Sequence, residues 1–312
     1  MLLFLPQRYN LQNLYQYLFD ISTQEAINDE IDKIIPSLNE AQNRLLKTYR
    51  NYHELIFSQF DAKIKSGVNA TVAQALAPFN HPDLMDAFCY SHNSIEKIEK
   101  TVKIDDVLRG IVYLVDMPLS IWGLGGKVAY TFIKLRFFNF MQNRNQLELN
   151  EKNERNSMKE KKPVFFICDE FQEIISASHD GLSDLNFWDK SRSSRTIGII
   201  SSQSIASFYA ALGNHDLANA LLQNFRQKLC LRTEDPVTLE FMERLVGHAQ
   251  IKRISENYQQ GYNIGKTITD SRERVVDAQL FRNLKPEQAI AILSLNGHSM
   301  DDILTLKPVY VD

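Results

Sequence analysis

The chain has 312 residues, 44% hydrophobic and 23% charged, with a formal net charge of -3 and a pI of about 6.2. Such ordinary globular usage excludes a disordered or fibrous chain, and the mild acidity excludes a surface that coats nucleic acid by bulk charge, so any DNA contact has to be local. Three cysteines, Cys89, Cys168 and Cys230, are far apart and odd in number, which suits buried thiols in a reducing cytosol and not a disulfide framework or a zinc site.

Residues 1–5 are apolar, but the run stops at Pro6, too short for a signal segment or a membrane span. The longest greasy stretch, 107–126, contains Arg109, Asp116 and Pro118, so no bilayer crossing is expected. From 11 to 89 there is no strand-like alternation. Leu38, Ala41, Leu45, Leu46, Tyr49, Tyr52 and Ile56 instead recur at the interval that keeps side chains on one helix face. This predicts a small all-helical unit, with Pro36 near a helix start.

After Asp105 short apolar runs alternate with longer periodic segments. Runs 110–116, 164–168, 196–200, 228–231 and 289–293 read as strands buried on both faces. Segments 127–143, 182–191, 204–212 and 236–246 read as helices. The alternation predicts an α/β protein with a mostly parallel sheet flanked by helices. The polar stretch 142–162 reads as a solvated loop.

The run Val164-Phe165-Phe166-Ile167-Cys168-Asp169-Glu170 carries the chemistry. A buried parallel strand delivers the residues after it to the carboxyl edge of its sheet, where open α/β folds bind ligands. Adjacent acids there form a Walker B arrangement, in which Asp169 holds Mg²⁺ through its water shell and Glu170 orients or deprotonates the attacking water. The same acids equally suit the start of a helix. The run 196–200 is followed by Ser201-Ser202-Gln203, either a γ-phosphate sensor at Gln203 or a cap for the next helix. Between the two strands, Lys190-Ser191-Arg192-Ser193-Ser194-Arg195 offers guanidinium groups suited to phosphate, or simply a solvated surface. The seven histidines have no zinc spacing, and neither a Gly-x-Ser-x-Gly elbow nor a Gly-x-Gly-x-x-Gly after a strand occurs.

Phe165 to Phe171, Ser191 to Ser204, Leu222 to Pro236 and the tail Arg274-Val275-Val276 with Leu284-Lys285-Pro286-Glu287 together resemble TraG/TraD-type coupling proteins of conjugation and type IV secretion. The resemblance runs in order from about residue 105 onward. It implies a RecA-like, P-loop NTPase-type motor, here 96–312, with an all-helical insertion at 21–95 and a motor remnant at 1–20. It also implies a ring, usually a homo-hexamer, anchored in the bacterial inner membrane with its motor on the cytoplasmic side. Such a ring uses ATP and Mg²⁺ to pass relaxase–DNA or protein substrates to the other inner-membrane components of the secretion channel. On this resemblance Asp169 binds the metal, Glu170 and Gln203 are catalytic and sensing groups, and Arg192 is an arginine finger acting in trans.

The departure is the phosphate loop, since no Gly-x-x-x-x-Gly-Lys-Ser/Thr occurs. In Gly123-Leu124-Gly125-Gly126-Lys127 the next residue is Val128, and Gly261 to Thr267 is one residue short between its glycines; both read as glycine turns. The chain is therefore expected to be cytoplasmic, to represent a truncated or split coupling protein, and not to hydrolyse ATP alone. The alternative is a non-catalytic substrate-binding or assembly module.

Overall fold

The computed structural model describes residues 4, 5, 8, 10–89, 102–144, 162–177, 181–259, 262–295 and 297–307. The chain divides into two compact units, Met1–Arg136 and Phe137–Asp312.

The first unit is helical because short polar side chains stand where helix starts leave N–H groups unpaired. Asn10 caps α1 (Leu11–Phe19), Asp20 caps α2 (Ile21–Ile34), and Asp61 caps α4 (Ala62–Leu76). Asn39 and Gln42 form a reciprocal capping box at α3 (Glu40–Leu55). Pro82 opens α5 (Pro82–Phe88). Ile27, Ile31 and Leu46 make one core with Leu5, and Phe79, Leu84, Cys89 and Ala129 make another.

The helical expectation for 11–89 therefore holds, with two corrections in this unit. The predicted apolar face of α3 buries Leu46 alone, while Leu45, Tyr49, Tyr52 and Ile56 are exposed. Pro36 lies in the first turn of the 3-10 helix Ile35–Ser37, between α2 and α3, near a helix start as expected. The run 110–116 is not a strand: it pairs with no strand among the described residues, although Val115 O accepts from Tyr130 OH at 3.0 Å, and Val112 and Leu114 are 90% exposed.

Helix α6 (Leu119–Gln142) begins earlier than expected and is broken at Gly123, whose φ of 50° and ψ of -130° are non-helical. Gly125 lies within it against α5's neighbourhood, where an added Cβ would fall 2.8 Å from Pro78 Cβ. The glycine run 123–127 thus kinks and packs a helix, a correction to its reading as a turn.

In the second unit β1 (Val164–Cys168) and β2 (Thr196–Ile200) pair in parallel, Val164 opposite Thr196 and Cys168 opposite Ile200. β3 (Lys228–Leu231) pairs antiparallel with β6 (Gln288–Leu295), and β6 with β7 (His298–Thr305). β4 (His248–Gln259) and β5 (Tyr262–Arg274) form a separate antiparallel hairpin.

The class is mixed helix and sheet as expected. Parallel pairing is seen in β1–β2, whereas the other pairings among the described residues are antiparallel: β4–β5 and β6–β7 between strands adjacent in sequence, and β3–β6 between strands far apart. The sequence reading contained neither β4 nor β5, whose pattern is polar. Gly265 lies inside β5 and not in a turn, and Gly261 falls outside the described residues.

Helices α7 (Asp184–Trp188), α8 (Ser191–Ser194), α9 (Ile205–Leu212), α10 (His215–Leu222), α11 (Pro236–Val246) and α12 (Ala278–Asn283) complete the unit. Expected segment 182–191 shortens to α7, and the basic loop includes the turn of α8.

An aromatic layer lies under β1 and β2. Phe138 stacks on Phe187 at 3.8 Å between ring centroids, and Trp188 meets Phe138 edge-on at 5.5 Å. Phe166 of β1 lies 5.7 Å from both Phe138 and Trp188. Gly198 of β2, opposite Phe166, is glycine because a Cβ there would come within 2.8 Å of the rings of Phe225 and Trp188. A second core joins α11, α12 and β6 through Leu239, Met242, Phe281 and Ile290.

Arg144, in the segment read as a solvated loop, is 2% exposed. Its Nη1 donates to the carbonyls of Lys162 and Ser194, both at 2.8 Å, just before β1 and β2 begin. Residues 145–161 of that segment lie outside the described residues. No helix of the described residues is long and apolar enough to cross a membrane.

Candidate functional site

Because β1 and β2 run parallel, both end at one edge, and the ladder continues past their last paired residues. Ser201 N donates to Cys168 O at 3.0 Å and Phe171 N to Ser201 O at 2.9 Å. This brings Asp169 beside Ser201, whose hydroxyl donates to Asp169 Oδ1. Gln203 Nε2 donates to Glu170 Oε1 at 3.0 Å. Three of the four residues singled out in the sequence, Asp169, Glu170 and Gln203, therefore share one hydrogen-bonded cluster.

The capping alternatives are answered locally. Ser204, not Gln203, caps α9 by accepting from Ser207 N at 3.1 Å, which leaves the Gln203 amide for Glu170. After β1 the chain forms a 3-10 turn, Phe171–Glu173, with no side-chain cap bond. Its start requires Glu170 to take φ 47° and ψ 47°. This left-handed conformation costs a non-glycine residue on the order of 1–2 kcal/mol. Strain of this kind clusters where a side chain must be aimed.

Sequence reasoning missed Gln172. It is 9% exposed, and its Nε2 donates to Glu170 Oε2 at 2.5 Å. The only signal in the sequence was its place two residues after Glu170, which becomes informative once the turn folds it back.

Arg192 stands apart. It is exposed on α8 at the amino-terminal end of β2, the opposite end from Asp169. The strand between them spans roughly 15 Å. Arg195 takes φ 52°, and its carbonyl accepts from Val164 N at 3.0 Å, starting the β1–β2 ladder.

Carboxylate and hydroxyl oxygens at a strand edge fit a hydrated Mg²⁺. Among the described residues no group of three or more His, Cys, Asp or Glu that could hold a metal ion occurs. Cys89, Cys168 and Cys230 form no disulfide, and burial pushes Cys89 upward and Cys230 up to about 11, as expected for inert buried cysteines.

Residues 141–295, which contain this edge, match the family model of the type IV secretion-system coupling protein DNA-binding domain. This stretch is similar to that family over just under half of the chain. Solved structures similar to the chain include the bacterial conjugative coupling protein TrwBdeltaN70 in an unbound monoclinic form, 19% identical with a TM-score of 0.42, covering 58% of this chain and 36% of that one. The plasmid coupling protein TrwB in complex with ADP and Mg²⁺ is 18% identical with a TM-score of 0.39, covering 58% of this chain and 35% of that one. The chain thus spans about a third of the length of these coupling proteins. No curated protein matches it.

Proposed function

We propose that this chain provides the metal-and-water half of an ATP-driven coupling-protein motor that moves DNA toward a type IV secretion channel. The observation that carries the reading is the cluster at the carboxyl edge of β1–β2, where Ser201 holds Asp169 and Gln203 holds Glu170. In this reading Asp169 receives the hydrated Mg²⁺ of MgATP, Glu170 orients the attacking water, and Gln203 registers the γ-phosphate through the same carboxylate. The metal, when bound, neutralises charge on the phosphates. The phosphate-cradling loop comes from outside these 312 residues, since no such motif occurs in them.

The further parts follow from the coupling-protein family. Subunits form a homo-hexameric ring on the cytoplasmic side of the inner membrane, with residues 21–95 as a helical domain near the DNA entrance. Arg192 acts in trans on a neighbour's nucleotide, which suits its exposure at the far end of β2. The substrate is relaxase-bound DNA or a secreted protein.

Phosphate release from the purified chain with MgATP, beside an Asp169→Asn, Glu170→Gln variant, tests the division of the site. No turnover is expected from either, because backbone donors and a lysine supply most of the affinity for triphosphate. Turnover in the wild type that is lost in the variant would overturn this division and place a phosphate-binding element inside the chain.

A second reading, an assembly module without catalysis, is favoured by the exposed row Phe165, Ile167, Ile197 and Ile199 on β1 and β2. If the chain complemented with a phosphate-loop segment binds MgATP yet never hydrolyses it, the assembly reading prevails.

A further inference from the structure

The two oxygens of the Glu170 carboxylate are held by amides from different parts of the chain. Gln203, after β2, donates to Oε1 at 3.0 Å, and Gln172, in the turn after β1, donates to Oε2 at 2.5 Å. They differ in setting, since Gln203 is exposed whereas Gln172 is 9% exposed.

The Gln172 carbonyl oxygen, Oε1, is buried without a hydrogen-bond partner among the described residues. A buried, unpaired amide carbonyl costs about 1–3 kcal/mol, and an aliphatic side chain of similar size would avoid that cost. Next door, Phe171 is fully buried beneath the sheet, and its N–H is fixed to Ser201 O. The turn therefore gives residue 172 little freedom to point elsewhere. A polar side chain at this position makes physical sense through what its Nε2 holds.

We infer that Gln172 is a positioning residue, which with Gln203 fixes the rotation of the Glu170 carboxylate from both sides. A carboxylate with one partner swings about its terminal torsion, which is broad and roughly two-fold. With one amide on each oxygen it presents its remaining lone pairs in a single direction. Supporting groups of this kind set the geometry of catalytic side chains without touching the reacting atoms. What the fixed direction serves rests on the proposed role of Glu170 toward water, whereas the clamp is a property of this chain alone.

The test uses the full chain without nucleotide. Side-chain amide resonances of Gln172 and Gln203 are compared by ¹H–¹⁵N NMR at one fixed pH in the wild type and in variants. Glu170→Gln should displace both, because both amides are held by that one carboxylate. Glu173→Gln, which removes a neighbouring acid, should move them far less.

Gln172→Leu keeps the volume and should fold, yet should displace the Gln203 amide resonance; Gln172→Asn, too short to reach, should do the same. If Gln172 does not follow Glu170, or if Gln172→Leu leaves Gln203 unchanged, Gln172 only fills space and the inference is overturned. Should Gln172→Leu fail to fold, the Glu170→Gln arm still decides through the Gln172 resonance. Failure of the clamp in these spectra leaves the nucleotide reading standing, and failure to find nucleotide chemistry leaves the clamp standing.

Discussion

On one face of the β1–β2 pair, Phe166 lies against Phe138 and Trp188, and Gly198 gives way to the rings of Trp188 and Phe225. On the other face Phe165 stands opposite Ile197 and Ile167 opposite Ile199, with exposures of 55%, 42%, 72% and 49% in that order. β3 repeats the contrast, with Cys230 turned inward and Leu229 and Leu231 more than half exposed. Composition does not separate these faces, since both are apolar. Only one has aromatic rings laid over it, so hydrophobicity in a strand states a demand for burial that the rest of the fold has to meet.

The contrast predicts unequal responses to substitution. Phe138→Ala removes a fully buried ring from the stacked layer and should destabilise the second unit by about 3–5 kcal/mol in chemical denaturation. A loss below about 1 kcal/mol would mean that the aromatic layer is not the core it resembles.

For Cys230, burial raises the thiol from 9.0 to about 11. At pH 8 alkylation by iodoacetamide should be about 100-fold slower than for an exposed thiol. A Cys introduced as Leu231→Cys on the open face should react at close to the exposed rate. Because the folded-state value is raised, the associated stability is fully present below pH 9.0 and is lost as pH rises through about 11. Equal labelling rates at 230 and 231 would erase the distinction between the two faces of β3.

Gly198→Ala sets a Cβ 2.8 Å from ring atoms of Phe225 and Trp188. Over-packing of this kind should cost about 1–3 kcal/mol, read as a lowered melting temperature. Phe225→Leu, which shortens one of the two rings, should recover part of the loss.

The smallest change is expected at Ile167→Thr on the open face. It keeps a β-branched side chain at a position that is 72% exposed. Stability should stay within about 0.5 kcal/mol, while binding of an apolar fluorescent dye falls. Destabilisation by more than about 2 kcal/mol would show that this face is covered in solution.

Elements with strong local signals were legible. β1, β2 and β3 begin and end where the apolar runs do, and α11 spans the segment marked by Pro236 at its start. At the site, the meeting of Asp169, Glu170 and Gln203 could be anticipated, because parallel strands deliver the residues after them to one edge. Gln172 could not, since its contact depends on the left-handed turn at Glu170. The β4–β5 hairpin also escaped, because its stability lies in cross-strand pairing that a polar sequence does not advertise.

The sequence by itself determined the short-range features: helix caps at Asn10, Asp20 and Asn39, the strand runs, and an acidic pair placed after a strand. These depend on residues a few positions apart, whose backbone preferences and hydrogen bonds act locally. Tertiary structure alone decided that 110–116 joins no sheet among the described residues, that Arg144 is buried against two carbonyls, which face of β1–β2 is covered, and that two amides grip Glu170. Each of these outcomes turns on whether a group distant in the chain arrives, and a strand or side chain carries no local record of its partner's arrival.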